Sequence, residues 1–190
     1  MRRGFLMSAL LLLAALLPSP ARAESSFGRY AFTGAQGTLE YKVYVPGGKG
    51  GHRRPLVVVL HGGGETADTA ATRSGWNRVA ERFGFLVAYP EQNPEHDEQR
   101  TWDWAGPAEQ GRAGRETSLI SGLTLEVVDR WKADPRRVYV TGISAGAGMA
   151  SVMAAFYPDL YSAAAMYAAR STTSPARARR PTSTPPRVRR

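Results

Sequence analysis

Val138-Tyr139-Val140-Thr141-Gly142-Ile143-Ser144-Ala145-Gly146 is a short apolar strand that runs directly into G-x-S-x-G. Behind it Met149, Val152, Met153 and Phe156 recur at helical spacing. A serine caught between a strand and a helix is the context in which this motif carries chemistry. The sharp turn forces the serine into a strained backbone conformation, and the flanking glycines let strand and helix approach without Cβ clashes. The serine oxygen is then held out over the sheet, with a helix N-terminus behind it that favours developing negative charge. The pentapeptide alone also arises by chance in loops rich in glycine and serine. The strand before it and the helix after it separate an elbow from such a loop.

The same alternation extends on both sides. Leu56-Val57-Val58-Val59-Leu60 is a continuous apolar run after Pro55 that ends in His61-Gly62-Gly63-Gly64, as a buried parallel strand stopping in a glycine loop would. Spacing predicts a helix from Asp68 to Phe83 (Trp76, Val79, Ala80, Phe83) that ends at Gly84. Phe85 to Tyr89 reads as a second buried strand, closed by Pro90. Residues 91–115 are polar and Gly-rich, with Trp102 and Trp104 among them. Glu116 to Ala133 is an amphipathic helix (Leu119, Leu123, Val127, Trp131), Asp134-Pro135 turns the chain, and Arg137 to Thr141 is the third strand. Leu39 to Val45 alternates like a half-exposed antiparallel strand. A β-α-β-α-β order with buried runs predicts an α/β fold, a mostly parallel sheet with helices on both faces.

On that fold the backbone N–H of Ala145 is one expected oxyanion donor. The second comes from the loop after the first buried strand, at Gly63 or Gly64. His61 reads as a structural residue bracing that loop rather than as a ligand or a base. Trp102 and Trp104 fit two roles equally, walls of a substrate cleft or loop anchors packed on the core.

Composition limits the function classes. The chain has 190 residues, 25 Lys and Arg against 16 Asp and Glu, a formal net charge of +9, and no cysteine. Without cysteine there is no disulfide, thiolate zinc site, iron–sulfur cluster or cysteine nucleophile. A hydrophobic share of 43% and a charged share of 22% exclude global disorder. The positive charge sits at the ends: Arg2, Arg3 and Arg22 at one, and Arg170, Arg177, Arg179, Arg180, Arg187, Arg189 and Arg190 at the other. Residues 24–169 keep 15 bases against all 16 acids, a net charge of −1, which argues against a nucleic-acid-binding face.

Residues 1–23 read as a secretory signal peptide. Arg2 and Arg3 precede the apolar run Phe5 to Leu17, Pro18-Ser19-Pro20 breaks it, and Ala21-Arg22-Ala23 is a cleavage pattern that leaves Glu24 first. The run is shorter than the roughly 20 residues that span a bilayer. Cleavage and secretion, extracellular or periplasmic, are therefore expected over a stable membrane anchor. Residues 170–190 read as a basic, disordered tail of low complexity. It could be a basic arm for an anionic polymer, a solvated tail without a role, or the product of a frameshift in GC-rich DNA.

Several further stretches resemble one family. Arg54 to Gly62, Gly75-Trp76-Asn77, Tyr89-Pro90-Glu91-Gln92, Trp102-Asp103-Trp104 and Val138 to Gly146 are similar, in order, to secreted esterases related to poly(3-hydroxybutyrate) depolymerases. Feruloyl and acetylxylan esterases belong to the same wider group, and the resemblance runs from about residue 38 to about residue 169. It implies an α/β-hydrolase fold and a serine-ester mechanism in which Ser144 attacks the ester carbonyl, an acyl-enzyme forms, and water releases it. It also implies two differences. Many relatives carry a disulfide between cysteines at the positions of Gly63 and Thr101. The family order is Ser, Asp, His, but the 46 residues after Ser144 contain one acid, Asp159, and no histidine. Asp159, in Tyr157-Pro158-Asp159, shapes a turn on this reading. His61 is the nearest of His52, His61 and His96, but it lies beside the oxyanion position. Ser162 to Ala169 resembles the family's next strand. Residues 24–169 thus read as an incomplete hydrolase domain with its last strands missing and an apolar edge exposed.

Four functions follow as expectations. The first is a secreted serine esterase acting on polyester or on aromatic or acetyl esters. The second is a truncated or frameshifted, non-catalytic remnant of one. The third is a binding module working through its basic tail. The fourth is a serine peptidase of the prolyl-oligopeptidase type, which shares the elbow. No metal, nucleotide or flavin motif is present, so no metal or cofactor is expected; the expected partner is an ester, polymeric or small, and not nucleic acid.

Overall fold

The computed structural model of the chain describes residues 23–48 and 53–168. Six strands form one mixed sheet: β1 (Ser26–Gly34), β2 (Gly37–Val45), β3 (Leu56–Leu60), β4 (Leu86–Glu91), β5 (Val138–Ile143) and β6 (Ala163–Tyr167), in the order β1-β2-β4-β3-β5-β6. Strands β4, β3, β5 and β6 run parallel, while β2 joins β4 antiparallel and β1 folds back on β2. Four helices connect them: α1 (Ala67–Ser74), α2 (Trp76–Phe83), α3 (Arg115–Arg130) and α4 (Ala145–Phe156). The signal-peptide pattern of residues 1–22, His52 and the tail 170–190 lie outside the described residues.

The apolar runs are continuous because both faces of the parallel strands are covered. Leu56, Val58, Leu60, Leu86, Ala88, Val138 and Val140 pack on one side with Leu119, Ile120, Leu123 and Val127 of α3 and Met149, Val152 and Met153 of α4. Val57, Val59, Val87 and Tyr89 pack on the other with Ala67, Ala70 and Ala71 of α1 and Ala80 of α2. The α/β arrangement with helices on both faces is therefore the one observed. Strand β2 alternates as expected, with Leu39, Tyr41 and Val43 buried between exposed or half-buried neighbours.

Three local features differ from the expectation. Strand β1 has no fully buried residue, so the sequence lacks the apolar signature that marks the other strands. It forms because it pairs with β2 along its whole length, through a two-residue turn closed at Gly37. The helix expected from Asp68 to Phe83 is two helices. Gly75, at φ 69 and ψ 11, caps α1 through its N–H to the Ala71 carbonyl (3.2 Å) and restarts the chain as α2. Strand β4 runs through Pro90 to Glu91, and this is possible because pairing with β3 stops at Ala88, so no ladder bond is asked of the proline on that side.

Among the described residues β6 is an outer strand of the sheet, paired to β5 from Tyr139↔Ala163 to Ile143↔Tyr167. Met166 and Tyr167 on it are 50% and 71% exposed. No helix among the described residues is long and apolar enough to cross a membrane.

The face of α3 gives a direct test. Leu123 is fully buried and Leu125, two residues on, is 57% exposed. Leu123→Ala is expected to cost about 2–5 kcal/mol in urea denaturation, and Leu125→Ala less than about 0.5 kcal/mol.

Candidate active site

The first residues of α4 are buried, but Ser144 just before them is exposed, at φ 53 and ψ −117. This is a region that non-glycine residues seldom enter, and the surroundings hold it there. Its N–H donates to the Tyr167 carbonyl on β6 (3.1 Å), and its carbonyl accepts from Ala147 and Gly148 (3.0 and 3.1 Å). The glycines on either side are required by space. A Cβ at Gly142 would overlap the Gly146 carbonyl, and one at Gly146 would overlap the carbonyls of Leu60 and His61. The N–H of Ala145 has no acceptor among the described residues and opens α4, where the helix dipole is positive.

The glycine turn after β3 faces this elbow and is tied on several sides. His61 is fully buried, and its ring accepts at Nε2 from the Gln92 backbone N–H (2.9 Å). An amide can only donate, so the imidazole proton sits on Nδ1, which donates to the Gly62 carbonyl (2.7 Å). Burial lowers the His61 pKa and keeps the ring neutral. Both nitrogens are engaged, so His61 braces the turn and does not act as a base toward Ser144. The Gly62 N–H donates to Glu65 Oε2 (2.9 Å).

Gly63 and Gly64 part company. The Gly64 N–H donates to the Gln99 carbonyl (2.8 Å), drawn there by the left-handed turn at Gly64, φ 76. It is therefore removed from the expected oxyanion donors. The Gly63 N–H has no acceptor among the described residues and remains beside Ala145 as the candidate pair.

Trp102 is corrected as a cleft wall. It is 1% exposed, its indole N–H donates to the His61 carbonyl (3.0 Å), and its ring lies 4.9 Å from the imidazole. Enclosure on all sides makes it an anchor of the 97–104 loop. Trp104 is half-buried and lies over Gly148 in the first turns of α4, where a Cβ would strike its ring. It alone of the two keeps an open face near the elbow.

Asp159 sits past the far end of α4, about 18 Å along a 12-residue helix from Ser144. It pairs with Arg112, which holds its carboxyl below the ordinary range, and Leu160 N–H closes the turn on Tyr157 (3.0 Å). It is a turn residue, as its sequence context suggests. The Ser144 hydroxyl has no hydrogen-bond partner among the described residues, and His96 lies on an exposed loop. No group of three His, Cys, Asp or Glu among the described residues is disposed to hold a metal ion. An apolar recess of about 550 Å³ flanks the elbow on the α1–α2 side, reaching from His61 to Ile143, Trp76 and Tyr167.

Two acids of the site, Glu109 and Glu116, carry no sequence signal of their own, and the role of Gln92 is not visible in the family-like stretch that contains it. Glu109, in a single 3₁₀ turn at Pro107–Glu109, accepts the N–H groups of Glu116 and Thr117 (2.9 and 3.1 Å). It thereby supplies the cap that Gly114 cannot give α3. Glu116 accepts from the Asp103 backbone N–H (2.9 Å) and from the Gln92 side chain. An acid in the first turn of a helix ordinarily reads as a solvated dipole partner, and only burial reveals otherwise. Burial, reinforced by the Glu109 and Asp103 carboxylates, pushes the Glu116 pKa up to about 7 against the pull of its two hydrogen bonds.

Two outcomes follow. A Cβ built on Gly63 lies 3.9 Å from the Thr101 Cβ, within the range of a disulfide. The double variant Gly63→Cys/Thr101→Cys is expected to lose both free thiols under oxidising conditions, read by thiol titration; two free thiols would refute this adjacency. For Glu116 the folded pKa exceeds the unfolded one. Its contribution to stability is greatest below about pH 4.5 and is lost as pH rises through about 7. The stability of the protein relative to Glu116→Gln is expected to fall across that window by on the order of 3 kcal/mol. Urea titrations at pH 4.5 and 8 would show it.

Comparison with known proteins places this geometry. The Esterase PHB depolymerase family matches residues 39–177. Poly(3-hydroxyalkanoate) depolymerase C of Paucimonas lemoignei is 39% identical over 153 residues, 75% of this chain and 36% of that protein. Acetylxylan esterase A of Talaromyces purpureogenus is 37% identical over 135 residues, 70% of this chain and 34% of that one. The solved acetyl xylan esterase from Aspergillus awamori superposes with a TM-score of 0.66 at 29% identity, covering 76% of this chain and 53% of that one. The chain spans about a third of the length of the curated relatives it matches. A match that covers more than two thirds of the chain, with the elbow and the glycine turn inside it, makes this chain a member of the Esterase PHB depolymerase family.

Proposed function

We propose that the chain acts as a serine carboxylic-ester hydrolase through Ser144. The observation that carries this is the exposed serine held at φ 53 just before α4, with the N–H of Ala145 and, from the facing turn, of Gly63 without acceptors among the described residues. In the reaction the Ser144 oxygen adds to the ester carbonyl, and the oxyanion is taken by those two N–H groups. Collapse expels the alcohol, which carries off the serine proton, and leaves an acyl-serine; water then adds to that ester and releases the acid, its proton returning to Ser144. The substrate class is a polyester such as a polyhydroxyalkanoate, or an acetyl or aromatic ester. The depolymerase and acetylxylan esterase relatives support the polyester and acetyl parts of that range, and the apolar recess beside Ile143 and Trp76 suits an acyl or aryl group. Trp104 is the cleft residue on this reading. The pattern of residues 2–23 supports secretion, extracellular or periplasmic.

One observation favours a second reading, a non-catalytic relative. Among the described residues no imidazole reaches the Ser144 hydroxyl, and a serine without a base is a poor nucleophile at neutral pH.

Turnover of a short-chain nitrophenyl ester and of a peptide amide, beside labelling with a fluorophosphonate, separates these readings. The expected result is ester turnover and a label on Ser144, with both lost in Ser144→Ala, turnover by on the order of 10²-fold or more. Amide turnover in preference to ester would favour a peptidase. Neither turnover nor labelling would favour the non-catalytic reading.

A further inference from the structure

We propose, on the ester-hydrolase reading of this site, that Glu116 is its positioning residue: one buried carboxylate that clamps both the glycine turn and the tryptophan loop beside Ser144. Glu116 stands in the first turn of α3 and touches neither the serine nor the glycines, yet two chains of hydrogen bonds end on it. One oxygen accepts from the Gln92 side chain. The Gln92 backbone N–H holds His61 Nε2 (2.9 Å), and His61 Nδ1 holds the Gly62 carbonyl (2.7 Å), in the same peptide unit as the Gly63 N–H, which has no acceptor among the described residues. The other oxygen accepts from the Asp103 N–H (2.9 Å), between Trp102, bonded to the His61 carbonyl, and Trp104, seated on Gly148. Gln92 also donates to the Thr101 carbonyl (3.3 Å), which closes the two chains into one unit.

A buried carboxylate is a costly way to fill space, and an apolar side chain of the same volume would serve packing alone as well or better. What the carboxylate supplies is two acceptor atoms aimed at two donors on separate loops. A protonated carboxyl keeps acceptor lone pairs on both oxygens and spares the burial of a charge, so both arms hold in the acid form. The groups around it set that balance. Glu109 from the 3₁₀ turn and Asp103 from the loop are like charges that favour the proton. On the far side of the imidazole, Glu65 binds the Gly62 N–H and Arg100 is paired with Glu91. Because the closed site holds the proton more tightly than an opened, solvated one, the clamp loosens as pH rises through neutrality, and the glycine turn loosens with it.

Hydrogen exchange in the full chain tests this. The probes are the Trp102 indole N–H and the Gly64 amide, with Val58 and Val140 amides as core references, measured from pH 5.5 to 8 and corrected for intrinsic rates. In Glu116→Ala the two site protons are expected to exchange at least about 10-fold faster while the core references stay unchanged. In the unaltered protein corrected site exchange is expected to quicken through about pH 7, and Glu116→Gln, which keeps the shape, is expected to lose that inflection. Should Glu116→Ala not fold, the profile of Glu116→Gln decides. In nitrophenyl ester turnover, kcat of Glu116→Gln is expected to fall about 10- to 100-fold with KM within about twofold, as for a displaced oxyanion donor. Unchanged site exchange in the variants, or site and core protons accelerating together, would overturn the clamp. Absent turnover in the unaltered protein would instead sink the ester-hydrolase reading, with the exchange data still judging the clamp.

Discussion

The start of α4 lies so close to the end of β3 that no side chain fits between them. The carbonyls of Leu60 and His61 occupy the space a Cβ at Gly146 would need. That contact is possible only if the chain turns from strand to helix within a residue, and the turning residue is Ser144. Its strained backbone is thus a consequence of sheet–helix packing, sustained by the two apolar cores on either side of β3 and β5. The same closeness brings the first N–H of α4 opposite the turn that follows β3, so one packing constraint sets both the serine and the cavity in which negative charge would develop.

The polar half of the site is built differently. Residues 92–104 contain no helix or strand, and several of their backbone groups are satisfied by side chains, Gln92 and Asp97 of the loop itself and Glu116 of α3. The loop is held by a few directed bonds to buried groups rather than by area. Such networks fix geometry well but rest on each member, because an unpaired buried group is costly. Trp102 adds apolar bulk beneath the loop while its indole N–H reaches the His61 carbonyl, so the anchor of the loop and the brace of the glycine turn are one contact.

The two features that most resemble the family, the elbow and the glycine turn, fall where local sequence constrains the backbone strongly. Gly142 and Gly146 are readable because each stands where a Cβ is excluded. The roles of the tryptophans and of Gly64 are not readable in this way. Trp102 and Trp104 are two residues apart with the same flanking chemistry, yet one is sealed against His61 and the other half-exposed on Gly148. Gly63 and Gly64 are adjacent, and only the position of Gln99 decides which N–H is consumed.

By itself the sequence determined the buried strands, the faces of α3 and the place of the serine, because periodicity and glycine spacing act within a few residues of the chain. It did not reveal β1, whose stability comes from its partner strand rather than from burial, nor the break at Gly75, where a left-handed glycine divides one helical pattern in two. Only the tertiary structure decided which N–H groups stay free, which tryptophan is an anchor, and that Glu116 is buried between two other carboxylates. Those outcomes depend on contacts between residues far apart in sequence. A side chain's burial and its hydrogen-bond partners are properties of the neighbours that folding brings to it, and a local pattern does not contain them.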